Sequence, residues 1–96
     1  MRTFNASLGT VPDYAGPPGG QKGVLLAGVR PGSAAERAGL ARGDILVQLG
    51  PHVIGDVRDL MFALQALKPG DVVVVAVRRG EKRLELKAML EQRAPH

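Results

Sequence analysis

The chain of 96 residues, 45% apolar and 23% charged, has the size and make-up of one globular domain with one modest core, and is too short for two. Thirteen basic and nine acidic residues leave a net charge of +4, yet the three aromatics, Phe4, Tyr14 and Phe62, give the basic cluster of Arg78, Arg79, Lys82, Arg83 and Lys87 no stacking platform for nucleic acid. The absence of cysteine excludes a disulfide frame, a cysteine-based zinc site and a thiol nucleophile, and the longest apolar run, residues 72–77, is far short of a membrane span.

In chain order, residues 2–6 and 9–14 have the composition of short extended pieces. The stretch GPPGGQKG at 16–23 breaks regular structure and reads as a flexible loop inside one domain. Residues 24–29 (VLLAGV) are a continuous apolar run of strand length. Ser33-Ala34-Ala35-Glu36 has the form of a capping box, predicting a short helix over 34–38 ended by Gly39 in the left-handed conformation. Gly43-Asp44 turns the chain into a strand at 45–49, and Val53-Ile54 form a brief extended pair. Asp56 is a good N-cap for a longer helix through Leu67, stopped by Pro69-Gly70.

That helix carries two apolar stripes: Leu60, Ala63, Leu64 and Leu67 on one, and Val57, Met61 and Leu64 on the other. A surface helix needs only one stripe to bury, so the wider arc points to something that covers the second. Residues 72–77 form a β-branched strand, Arg79-Gly80-Glu81 a tight hairpin connection, and Leu84, Leu86, Ala88 and Leu90 alternate as the buried half of a last strand. Residues 93–96 read as a frayed tail. The order predicts a small α+β domain, residues 1–92, with a mostly antiparallel sheet.

Catalytic chemistry is hard to assemble from these residues. His52 and His96 are the only histidines; His52 follows Gly50-Pro51 and reads as a turn residue, and Ser33 is explained by capping. Asp56 and Asp59 suit the positive end of the long helix, while Asp44 and Asp71 each follow a glycine at a turn. No Walker A, GxGxxG or HExxH pattern occurs. No enzyme, metal site or cofactor is expected in this chain.

The run Val29-Arg30-Pro31-Gly32-Ser33-Ala34-Ala35-Glu36-Arg37-Ala38-Gly39-Leu40, then Gly43-Asp44-Ile45-Leu46, resembles the central signature of PDZ domains in bacterial proteases. Leu67-Lys68-Pro69-Gly70-Asp71, the valine-rich strand and the Arg-Gly hairpin resemble the end of the same domain. Residues 8–14 and 59–64 look most like PDZ domains appended to M28-type zinc aminopeptidases. The resemblance implies a PDZ-like fold: a small sheet or partial barrel capped by one short and one longer helix, in the bacterial, circularly permuted strand order.

It also implies a function. An extended peptide, or a protein C-terminus, adds to a strand edge beside the long helix, with its carboxylate held by the backbone N–H groups of Leu8, Gly9 and Thr10. Val11, Val57, Met61 and Leu64 are the expected groove residues. Pro12 removes one ladder donor from the binding edge, and Thr10 stands where the family usually has a hydrophobic residue. An alternative is a structural or regulatory docking domain whose groove is empty or filled by its own chain. The implied host is a bacterial peptidase, periplasmic or secreted, whose catalytic domain is a further partner; neither nucleic acid nor membrane is an expected one.

Overall fold

The computed structural model describes residues 6–92. The extended piece expected to begin at residue 2, the tail at 93–96, Phe4 and His96 lie outside the described residues. Eight strands and two helices follow one another: β1 (Ala6–Ser7), β2 (Thr10–Pro12), β3 (Val24–Val29), α1 (Ala34–Ala38), β4 (Ile45–Leu49), β5 (His52–Val53), α2 (Val57–Ala66), β6 (Val72–Arg79), β7 (Lys82–Met89) and β8 (Glu91–Gln92). The main sheet runs β2-β3-β4-β6-β7 with β5 added to β4, while β1 pairs with β8. All pairs are antiparallel. The sheet is open, with β2 and β7 as its ends, and is the sheet form of the small sheet or partial barrel that the resemblance implies.

Both helices start with the same device. Ser33 Oγ accepts from the Glu36 N–H (3.2 Å), and Glu36 Oε1 accepts from the Gly32 N–H (2.9 Å). In α2, Asp56 accepts from the Asp59 N–H (2.9 Å) and Asp59 accepts from the Gly55 N–H (2.8 Å). In each case the carboxylate three residues into the helix reaches one residue beyond the N-cap, further back than a standard capping box. Gly39 ends α1 at φ 98°, in the left-handed conformation expected of it.

The core joins Leu8, Leu26, Leu46, Leu49, Val75 and Val77 to Leu60 and Ala63 of α2 and to Ala34 and Ala35 of α1. Some expectations shift. The extended piece expected over 9–14 is shorter, because Pro12 ends β2 and Asp13 accepts from the Ala15 N–H (2.9 Å) to turn the chain. The glycine-proline loop contains a single 3-10 turn, Pro18–Gly20. The brief extended pair falls one residue early, at His52–Val53, and Ile54 drops into the core. On β7, Leu84 and Leu86 are only half-buried, since the five-residue α1 covers that end sparsely; full burial comes at Ala88 and Leu90. Val72 and Val74 lie on the outer face of β6 and are exposed, so half of the valine run faces solvent.

One ion pair locks the hairpin to the body. The Asp44 side chain is 1% exposed and accepts from Arg79 Nε and Nη2, both at 2.8 Å, and from the Ala41 N–H at 3.0 Å. Arg79 Nη2 also donates to the Gly39 carbonyl (2.8 Å), bridging the end of α1 to β6. The hydrogen bond to Asp44, then its charge, holds the Arg79 guanidinium above its ordinary pKa. Neither residue is therefore the free turn or hairpin group that the sequence suggests.

A second pair ties the chain's end to α1. Glu91 accepts from the Ala34 N–H (2.9 Å) and contacts Arg37 at 3.0 Å. The hydrogen bond from Arg37, followed by that from Ala34, lowers the Glu91 pKa against a smaller opposing cost of desolvation.

Three outcomes follow for stability. Leu49, fully buried, changed to alanine costs about 2–5 kcal/mol in chemical denaturation, through lost burial and a residual cavity. Arg79→Ala, which strands a buried carboxylate, lowers the denaturation midpoint more than Arg83→Ala, whose contact to Glu85 (3.7 Å) is exposed on both sides. Because the folded-state pKa of Glu91 is depressed, its contribution is fully present above the ordinary glutamate range and fades as pH falls through and below it. Urea midpoints across acidic pH should drop less steeply for Glu91→Gln than for the parent.

Candidate functional site: the cleft between β2 and α2

The loop Leu8-Gly9-Thr10 is positioned by what surrounds it. The Leu8 side chain is buried in the core, and its carbonyl accepts from the Ala35 N–H of α1 (2.7 Å). The Gly9 carbonyl accepts from the Arg30 N–H (2.9 Å) at the end of β3. Gly9 has φ 88°, and a Cβ built there would lie 2.2 Å from Ser33 Cβ. Glycine is thus required twice, by its conformation and by the approach of the α1 N-cap. That close neighbour is a protein side chain, a reason for glycine that adds to the anion approach suggested by the sequence.

With both carbonyls engaged, the N–H groups of Leu8 and Gly9 donate to no backbone carbonyl among the described residues. The register explains the rest of the edge. The bonds Arg30 N–H to Gly9 O and Asp13 N–H to Leu25 O (2.8 Å) flank the pairs Thr10↔Val29 and Pro12↔Leu26. These are therefore non-hydrogen-bonded pairs, and the backbone groups of Thr10 and Pro12 face away from β3, toward the free edge. The donor missing at Pro12 is missing from that edge, and the β2–β3 ladder loses nothing by it.

Between this edge and α2 lies a cleft of about 200 Å³, lined by Ala6, Ser7, Leu8, Gly9, Thr10, Arg30, Met61, Leu64 and Gln65. It brings together five of the residues singled out by sequence: Leu8, Gly9, Thr10, Met61 and Leu64. Met61 is 58% exposed, as a side chain without a core partner would be, whereas Leu64 is half-buried and packs against the core as well. Val11 and Val57 do not line this cleft. Val11 is exposed beside the edge, and Val57 sits one turn nearer the start of α2, packed against the core.

Ser7 lines the cleft beside the loop it precedes, whereas Arg30, Gln65 and Ala6 were not legible as site residues. Arg30 reaches the cleft only because its N–H is paired with Gly9, a contact across 21 positions of sequence that no local pattern announces. Among the described residues no group of three or more histidine, cysteine, aspartate or glutamate side chains gathers where a metal ion could be held. His52 lies in β5, partly exposed, away from the cleft lining. What the site offers is unpaired backbone donors, a strand edge, an apolar wall and one cation.

Comparison with known proteins places these features in a family. Residues 7–90 match the family model of the PDZ domain. The putative serine protease HhoB of Synechocystis is 38% identical over 60 residues, 62% of this chain and 14% of that protein. Among solved structures, the HtrA-type protease AlgW with decapeptide aligns with a TM-score of 0.86 at 24% identity, over 97% of this chain and 31% of that one. An aminopeptidase N family protein from Idiomarina loihiensis aligns at a TM-score of 0.78 and 20% identity, over 98% of this chain and 15% of that one. The chain thus spans about one seventh to one sixth of the length of the curated relatives it matches. With its open antiparallel sheet, two capped helices and a matching model over residues 7–90, the chain belongs to the PDZ domain family.

Proposed function

We propose that this domain binds the C-terminal end of an extended peptide, as an accessory module of a bacterial protease of the HtrA type. The observation that carries the reading is the pairing of a free strand edge with unengaged loop N–H groups at one end of the same cleft. A peptide laid antiparallel to β2 meets the outward N–H and C=O of Thr10 and the outward C=O of Pro12. Its terminal carboxylate falls at the N–H groups of Leu8, Gly9 and Thr10, a run of donors suited to an anion. Its last side chain enters between Met61 and Leu64, and the next one directed at α2 meets Val57. Val11 flanks the opposite face of the added strand.

Support also comes from outside the chain. The structurally similar HtrA-type protease AlgW carries a decapeptide in its solved structure, and the putative serine protease HhoB is several times longer than this chain. A zinc aminopeptidase host of the M28 type is the second reading. It rests on the likeness at residues 8–14 and 59–64; the aminopeptidase N neighbour shares the fold alone and does not bear on the M28 type. In either host the domain supplies recognition, and the neighbouring peptidase domain supplies catalysis.

Titrating short peptides with a hydrophobic C-terminal residue, followed by NMR shift mapping, tests the reading. Binding should be weak, with a dissociation constant on the order of micromolar to millimolar, and shifts should concentrate at Leu8, Gly9, Thr10 and Met61. Amidating the peptide's C-terminus removes the charge held by the loop and should weaken binding sharply. Met61→Lys should change which side chains are preferred while the need for a free carboxylate persists. If no peptide binds, or if shifts are confined to the β6–β7 hairpin, the domain is a docking module and the groove reading fails.

A further inference from the structure

Among the lining residues of the cleft, Arg30 is the only charged one. Its side chain is exposed and has no hydrogen-bond or ion-pair partner among the described residues. Arg37 is engaged with Glu91, Arg79 with Asp44, Arg83 with Gln48 and Glu85, and Arg78 with Gln21, while Arg42 and Arg58, equally unpaired among the described residues, lie outside the cleft lining. A cation at the mouth of a binding cleft, held in place by its backbone and left without a counter-charge, is a recognition element looking for an anion.

The pleat says which anion. Val29 is packed against the core, so by the two-residue period of a strand the Arg30 side chain leaves from the opposite, outer face. Val11 and Gly28 are paired on that same outer face, and a Cβ at Gly28 would meet nothing within 4 Å. A strip beside the β2 edge is therefore open at Gly28, which places no side chain between Arg30 and the edge. A peptide added to that edge alternates too. If its last residue points toward Met61 and Leu64, the residue before it points to the outer face, opposite Val11. With strands about 4.8 Å apart, two long side chains cover the diagonal from there to Arg30.

We infer that Arg30 reads an acidic side chain, aspartate or glutamate, at the residue preceding the ligand's C-terminal residue. The inference rests on the peptide-binding reading above and adds to it a preference for one charge at one ligand position. The α-carboxylate is held by backbone N–H groups, whereas the penultimate side chain is held by the guanidinium. Both contacts are anionic, but they are separable because they use different donors on different strands.

The test compares two peptides that are identical except for glutamate or glutamine at the penultimate position, both with a free carboxylate, against the parent and Arg30→Gln. The Arg30 backbone bond to Gly9 survives the substitution, and the side chain supports no described contact, so the variant should fold; its circular dichroism and denaturation midpoint check this. The parent should bind the glutamate peptide about two- to fivefold more tightly than the glutamine peptide at low salt, the range of an exposed ion pair. That preference should vanish in Arg30→Gln and shrink in 0.5 M salt. Equal binding of both peptides by the parent overturns the inference and leaves the groove reading standing. So does an Arg30→Gln variant that weakens both peptides by the same factor, which would assign Arg30 to the α-carboxylate. Failure of both peptides to bind the parent overturns both.

Discussion

The site depends on how closely one glycine approaches one helix cap. Gly9 sits where a Cβ would overlap the Ser33 side chain, and this contact brings three separate pieces of chain to one point. Leu8 is tied to α1 through the Ala35 N–H, Gly9 to β3 through the Arg30 N–H, and Ser33 spends its hydroxyl on the Glu36 N–H. Once the carbonyls of Leu8 and Gly9 are fixed inward, the N–H groups of these two residues are left without a backbone partner among the described residues. The proposed binding surface is a by-product of packing: the same bonds that stabilise the start of α1 leave a set of donors unpaired. Glu91 extends the arrangement by bonding Ala34, so the end of the described chain also bears on the loop.

The division of labour along α2 follows from its sequence. Leu60 and Ala63 are buried in the core, Leu64 is shared, and Met61 is left outside. A helix that buried all of this arc would close the cleft, and one that buried only Leu60 and Ala63 would give it no apolar wall. Asp56 and Asp59 fix where the helix begins and hence which of these residues reach the level of the loop. Val57, one turn earlier, falls beyond the cleft lining for that reason.

Local signals made most of the fold legible. Capping residues placed both helices to within a residue, and the apolar run at 24–29 and the alternation at 84–90 gave strands that the structure contains. The resemblance, carried by the Pro31-Gly32-Ser33 region and Gly43-Asp44, supplied the topology. What escaped was non-local. Asp44 looked like a turn residue because its partner Arg79 lies 35 positions away, and Arg30 carried no site reading because its relation to Gly9 exists only in the folded sheet. The exposure of Val72 and Val74 was hidden for another reason. A run of six apolar residues does not say which of its two faces is covered; that is decided by where α1 and α2 lie.

Pro12 has a consequence for the life of this domain in a crowded solution. An exposed strand edge is a template for any other edge, including that of a second copy of the same chain. With its one missing donor turned outward, β2 permits a short addition near Thr10 and interrupts a longer one, so two copies cannot zip along the whole edge. The residue that would limit how firmly the proposed ligand is held also guards the open sheet against polymerising through it. Under the peptide-binding reading, weak, short-range recognition and protection from aggregation are two effects of a single ring.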